Sequence, residues 1–319
     1  MNKSSAAEDI GYTVLITQGT KMEIPAGMSE TLLRPLKSLL RVRTALHFSA
    51  HRNSIRLSYD PDLVPPPELM RTEGINVLEE WFRWAEEWSM FLRVFGGLRR
   101  RSEVLEIGCG LGRIAFSLRF LLREGSYEGF DISKRKIDFL NQTVHARYPN
   151  FHFSYADIKN TEYNPSGRIP ATEFQFPYPD VQFDLVYAAS VFTHMLPQAC
   201  AHYFSEASRV LRPSGRFVVS FFLLDFYVPG HQRGLGFDSE RFAFDHTLPS
   251  YDREFALVDP ANPELMTAYS SSLIRKMAEK AGLVMSKDPV LGLWSGTQDS
   301  PIGGQDLVVL EKPALGSSS

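Results

Sequence analysis

At 319 residues, 44% hydrophobic and 22% charged, the chain has the make-up of an ordinary globular protein, long enough for one large domain or a core domain with additions. A formal net charge of −3 excludes a general pull toward nucleic acid or membrane. Its two cysteines, Cys109 and Cys200, exclude a disulfide framework and a cysteine–histidine zinc cluster, which points to a reduced cytoplasmic setting.

The start, "MNKSSAAEDIG", lacks the apolar stretch of a signal peptide. The longest apolar run, "FVVSFFLLDF" from Phe217, is too short to span a bilayer and reads as a buried strand of a soluble protein. Residues 1–64 form an N-terminal extension, expected to be partly disordered over 1–30. Residues 31–59 carry Arg34, Lys37, Arg41, Arg43, Arg52 and Arg56 without an acid, and leucines at helical spacing, so a basic amphipathic helix is expected there. That helix either packs with a solvated basic face or offers a peripheral surface to anionic lipid or substrate. The extension either swaps onto a neighbour in a homodimer or covers its own site.

"PDLVPPPEL" is a stiff linker, because each proline fixes its own φ and restricts the residue before it. The main domain is expected over 65–313, followed by a short tail, 314–319. Ile75–Phe95 reads as a helix whose Trp81, Phe82, Trp84 and Trp88 suit core packing, ended by Gly96 and Gly97. Strands are then predicted at 103–107, 127–131, 151–155, 183–188 and 215–223, and helices at 112–123, 133–147, 197–211 and 270–281. Two further strands are predicted at 283–291 and 305–311. Such alternation specifies an α/β fold: a Rossmann-like, doubly wound, mostly parallel sheet with helices on both faces.

The first of these strands runs into "VLEIGCGLGRIA", an apolar strand followed by Gly108, Gly110 and Gly112 and then a helix. Such turns bring a ligand against backbone N–H groups at a helix start. The G-x-G-x-x-G dinucleotide fingerprint is broken, because Arg113 stands where its third glycine belongs, and no G-K-[ST] follows. Glu106, two residues before the bend, would repel a pyrophosphate but suits an ammonium group. The next two strands end in Asp131 and Asp157, placed to hold ribose hydroxyls and an adenine amino group. With Arg113, Ile132, Ile158 and Ser190 counted to the same wall, a cationic adenosine ligand, S-adenosyl-L-methionine, fits all of these positions.

From Pro65 to Lys312 the chain resembles the class I S-adenosylmethionine-dependent methyltransferases, and is similar to bacterial members associated with polysaccharide and glycolipid biosynthesis. The stretches that carry the resemblance are "PPPELMRTEG", "VLEIGCGLGRIA", "YEGFDIS", "YPNFHFSYADI", "YNPSG", "SVFTHMLP", "RVLRPSGRF", "FFLLD" and "GLWSG…GQDLVVLEK". It implies a seven-stranded sheet with an antiparallel last strand, and cofactor contacts at Glu106, Gly108, Gly110, Gly112, Asp131 and Asp157. Departures are Ser214 for a glycine, Asp225 for an asparagine, and no arginine near Thr297.

A sulfonium methyl is already activated, so such an enzyme aligns an acceptor and removes its proton. His194 in "SVFTHM" is either that base or a residue that fixes its loop. The insertion 225–268 mixes aromatics with polar groups and reads as a substrate lid, while 160–180 forms the opposite wall. Glu264, Tyr269 and Trp294 are expected on the substrate side. The expected activity is methyl transfer to a hydroxyl of a sugar or a glycosylated or lipid-linked metabolite. N- or C-methylation and a non-catalytic cofactor-binding protein are the alternatives. No metal site is visible, and the absence of [DN]-P-P-[YF] after the fourth strand argues against nucleic acid.

Overall fold

Val104–Ile107, Phe183–Ala188 and Phe217–Phe221 are almost continuously apolar, the pattern of strands covered on both faces. They lie side by side at the centre of the sheet. The computed structural model describes residues 13–16, 20–23, 60–228, 243–296, 302–314 and 316, and the chain divides into two units, Met1–Val64 and Pro65–Ser319. In the first unit Thr13–Ile16 pairs antiparallel with Thr20–Glu23. The predicted basic helix at 31–59 lies outside the described residues.

In the second unit six strands pair: β1 (Glu103–Ile107), β2 (Ser126–Asp131), β3 (Phe151–Tyr155), β4 (Phe183–Ala188), β5 (Leu211–Phe221) and β6 (Asp306–Glu311). Their order is β6-β5-β4-β1-β2-β3, parallel throughout except for β6, which runs antiparallel to β5. The chain lays β2 and β3 on one side of β1 and then crosses to β4 on the other. That reversal opens a crevice at the strand ends, where open α/β sheets bind ligands.

The implied seventh strand is a correction. Residues 283–291 make only two isolated bridges to β6, Val284 with Glu311 and Val290 with Leu307. The polar run Ser286-Lys287-Asp288 and Pro289, which has no N–H to donate, separate them. β5 begins four residues earlier than predicted and carries Ser214 at φ +64°, where a glycine would sit without strain.

Among the described residues the longer helices are α1 (Leu78–Val94), α2 (Arg113–Leu118), α3 (Lys134–Leu140), α4 (Pro197–Val210) and α5 (Ser271–Lys280). In α1 the buried residues Trp81, Ala85, Trp88 and Leu92 recur at one-turn spacing. α4 starts on Pro197, whose missing N–H costs nothing in a first turn. α5 is capped by Ser270, whose hydroxyl accepts from the Leu273 N–H. The described part of the insertion 225–268 folds into a small antiparallel sheet, His246–Thr247, Phe255–Leu257 and Thr267–Tyr269. Phe244, Met266 and Ala268 pack there with Phe222 and Trp294 as a satellite core. His231, Phe237 and Phe242 of the expected lid lie outside the described residues. No helix among the described residues is long and apolar enough to cross a membrane.

Candidate active site

The glycine bend begins where β1 ends. Gly108 stands at φ +70°, and a Cβ there would lie 2.5 Å from Val191 Cγ2. Gly110, at φ +51°, has the Glu73 carboxylate in the space a Cβ would need. Both positions demand glycine for backbone and for space. Gly112 caps α2 behind the bend and does not face the crevice.

Asp131, at the end of β2, holds the bend in place. Its two oxygens accept from the N–H groups of Gly110 and Ser133, each at 2.8 Å. Burial raises its pKa, and Lys136 opposes that shift. Because each carboxylate oxygen has two lone pairs, these bonds leave capacity for ribose hydroxyls.

Glu106 is 3% exposed. Strand register places it opposite Tyr187 on β4 and Gly129 on β2. The hydroxyls of Tyr127 and Tyr187 both donate to its Oε2, the latter at 2.8 Å. Burial pushes its pKa up to about 8.

One cavity of about 1230 Å³ lies along the strand ends. Of the residues expected at the cofactor, Glu106, Gly108, Gly110, Arg113, Asp131, Ile132, Ile158 and Ser190 line it. Asp157 does not, contrary to the sequence reading. The chain turns back after Ile158 so that Arg168 pairs with the Asp157 carboxylate, and this bond holds its pKa low. α1 supplies a wall that was read as core: Trp81 is buried, but Trp84 and Trp88 line the cavity, with the Arg113 guanidinium 4.9 Å above the Trp84 ring. The charged residues between these tryptophans, Arg83, Glu86 and Glu87, were the available signal that this helix was not wholly buried.

Ser190, two residues past β4, stands in a left-handed turn, φ +56°, fixed by its N–H donating to Ser220 Oγ at 2.8 Å. Both serine hydroxyls donate to Gln305 Oε1, at 3.0 and 2.7 Å. Gln305 also lines the cavity, and sequence reading missed it.

His194 follows on the same side. Its Nδ1 lies 3.3 Å from the Glu264 backbone oxygen, which can only accept, so in the neutral imidazole Nδ1 is the donor and Nε2 the acceptor. Nε2 lies 3.4 Å from the Tyr163 hydroxyl, whose ring meets the imidazole edge-on. The wall expected from 160–180 includes Asn160, Glu162, Tyr163 and Ala171.

The expected substrate residues divide. Glu264 lines the cavity, but its carboxylate accepts from the Thr161 N–H and hydroxyl at 2.6 and 2.7 Å. Through one carboxylate oxygen it clasps the insertion to the 160s loop. Tyr269 is a correction: it is fully buried, donates to the Met195 oxygen at 2.6 Å, and lies outside the cavity lining. Its position on a strand of the small sheet turns the ring into the core. Trp294 lines the cavity while its indole N–H donates to buried Asp306. Glu73, in the short helical turn Arg71–Glu73 after the prolines, was not anticipated: it accepts from the Leu111 N–H at 3.0 Å and pairs with Lys136 at 3.0 Å.

This donor set fits S-adenosylmethionine: a bend that no side chain could share, an acid at the ribose position, and carboxylates for a cation. No group of three or more metal-ligating side chains is present among the described residues.

Residues 104–215 match the family model described as a methyltransferase domain. The 27-O-demethylrifamycin SV methyltransferase of Amycolatopsis mediterranei (strain S699) is 32% identical over 146 residues, 45% of this chain and 46% of that protein. The chain thus matches under half the length of this curated relative. Among solved structures it is similar to the PH0226 protein of Pyrococcus horikoshii OT3 (18% identity, 75% and 92% of the two chains, TM-score 0.47). It is also similar to the CcbJ methyltransferase of Streptomyces caelestis (17%, 82% and 96%, TM-score 0.46).

Proposed function

We propose that the protein is an S-adenosylmethionine-dependent methyltransferase acting on a hydroxyl of a small molecule, a sugar or a glycosylated or lipid-linked metabolite. The observation that carries this reading is one cavity lined by the glycine bend, by Asp131 and by His194. Bound there, the cofactor supplies an activated methyl on a sulfonium. Asp131 takes the ribose, Gly108 and Gly110 admit the amino-acid tail against the backbone, and Ile132 and Ile158 flank the adenine. Trp84 and Trp88 exclude water from the crevice.

On the β4–β5–β6 side, His194 Nε2 accepts the proton of the attacking hydroxyl, with the Glu264 carbonyl fixing the ring's tautomer. Gln305, held by two serines, keeps its amide donors for a second oxygen of the acceptor. The match to a protein named for methylating 27-O-demethylrifamycin SV favours oxygen over nitrogen or carbon. Two buried free thiols, Cys109 and Cys200, suit a reduced cytoplasm.

The test is release of S-adenosylhomocysteine with a panel of hydroxyl-bearing acceptors. His194→Ala should lower kcat by about a hundredfold or more while cofactor affinity holds. Undiminished turnover would move proton removal elsewhere and favour nitrogen or carbon as the acceptor atom.

A further inference from the structure

The motif "PPPELMRTEG" has no part in the chemistry described so far, yet the structure brings its one cavity-lining acid onto the glycine bend. Three prolines start a helical turn, Pro67–Met70, that tightens over Arg71–Glu73 and stops at Gly74, φ +70°. This delivers Glu73 beside Gly110. Its Oε1 receives both the Leu111 N–H and the Lys136 ammonium, so the second carboxylate oxygen is left to accept. Glu73 lines the same cavity as Glu106, Gly110 and Asp131.

Resting on the cofactor reading above, we propose that Glu73, rather than Glu106, is the carboxylate that binds the ammonium of the cofactor's amino-acid tail. Glu106 is badly placed for that task. It is 3% exposed beneath two tyrosine hydroxyls that donate to it, and its burial favours the neutral form. Glu73 lines the crevice and is paired with the Lys136 ammonium at 3.0 Å. Lys136 holds it over the bend, and the glycine at 110 leaves room for it. Glu73 is then a specificity residue for ligands that carry the amino-acid tail.

Calorimetric titration with S-adenosylhomocysteine and with 5′-methylthioadenosine, which lacks the tail, separates the possibilities. Glu73→Gln keeps the acceptor for Leu111 and removes the charge. It should weaken S-adenosylhomocysteine about ten- to hundredfold and leave 5′-methylthioadenosine within about twofold. Should that variant not fold, Glu73→Asp, charged but shorter, should show the same tail-selective loss. Equal weakening of both ligands would make Glu73 a prop for the bend and overturn the proposal. So would unchanged affinity for S-adenosylhomocysteine, or tail-selective loss in Glu106→Gln without loss in Glu73→Gln. Wild-type protein that binds neither compound would instead overturn the cofactor reading itself.

Discussion

Replacing Glu106 by glutamine should stabilise the protein increasingly as pH rises. The Glu106 carboxyl is buried between two tyrosine hydroxyls, and its pKa rises from 4.5 to about 8. The unfolded chain releases this proton near the ordinary value, whereas the folded chain keeps it. Stability from this group is therefore fully present below the unfolded value and is lost as pH rises through the folded one. Each pH unit between those limits costs about 1.4 kcal/mol, so by pH 7 the penalty is roughly 3 kcal/mol. Glutamine still accepts from the tyrosines but never ionises. In cofactor-free protein, denaturant unfolding of wild type and Glu106→Gln at pH 5, 6, 7 and 8 should give a gap that widens with pH in favour of the variant. At pH 7 it should also raise the melting temperature by about 2–4 °C per kcal/mol. A gap that stays constant across that range would refute a proton held on this carboxyl.

Tyr269→Phe should cost about 1–2 kcal/mol of stability, because the Met195 carbonyl loses its buried donor, and leave acceptor KM unchanged once the protein is folded. A KM effect without a stability effect would return Tyr269 to the substrate. Asp157→Asn should leave cofactor affinity within about twofold, as the ion pair it breaks is with Arg168 on the surface. A tenfold loss measured by calorimetry would put Asp157 back at the adenine.

β1, β3 and β4 fall at their predicted bounds because their apolar runs stop abruptly at glycine, polar or turn residues. The glycine bend and the acid closing β2 were legible for a related reason: strand ends and turns are set by neighbours in sequence. Contacts between distant segments were not. Glu73 meets Leu111 from 38 residues away. Asp157 looked available until Arg168, eleven residues on, folded back to it. Tyr269 and Trp294 were both plausible at a binding surface, but only packing decides which face of a short strand or turn is inward. In α1, tryptophan density suggested core, and the sequence could not say that the same helix closes the crevice. The segment 283–291 had strand composition at its ends, and the proline and charges between them cut the ladder to two bridges.

The most direct test is titration of the protein with S-adenosylmethionine, alongside Asp131→Ala. We expect one site per chain in the wild type and a large loss of affinity in the variant, whose bend is no longer tied to β2 and whose ribose acid is gone. Absence of binding, or binding that Asp131→Ala leaves untouched, would contradict an adenosyl cofactor lying across these strand ends.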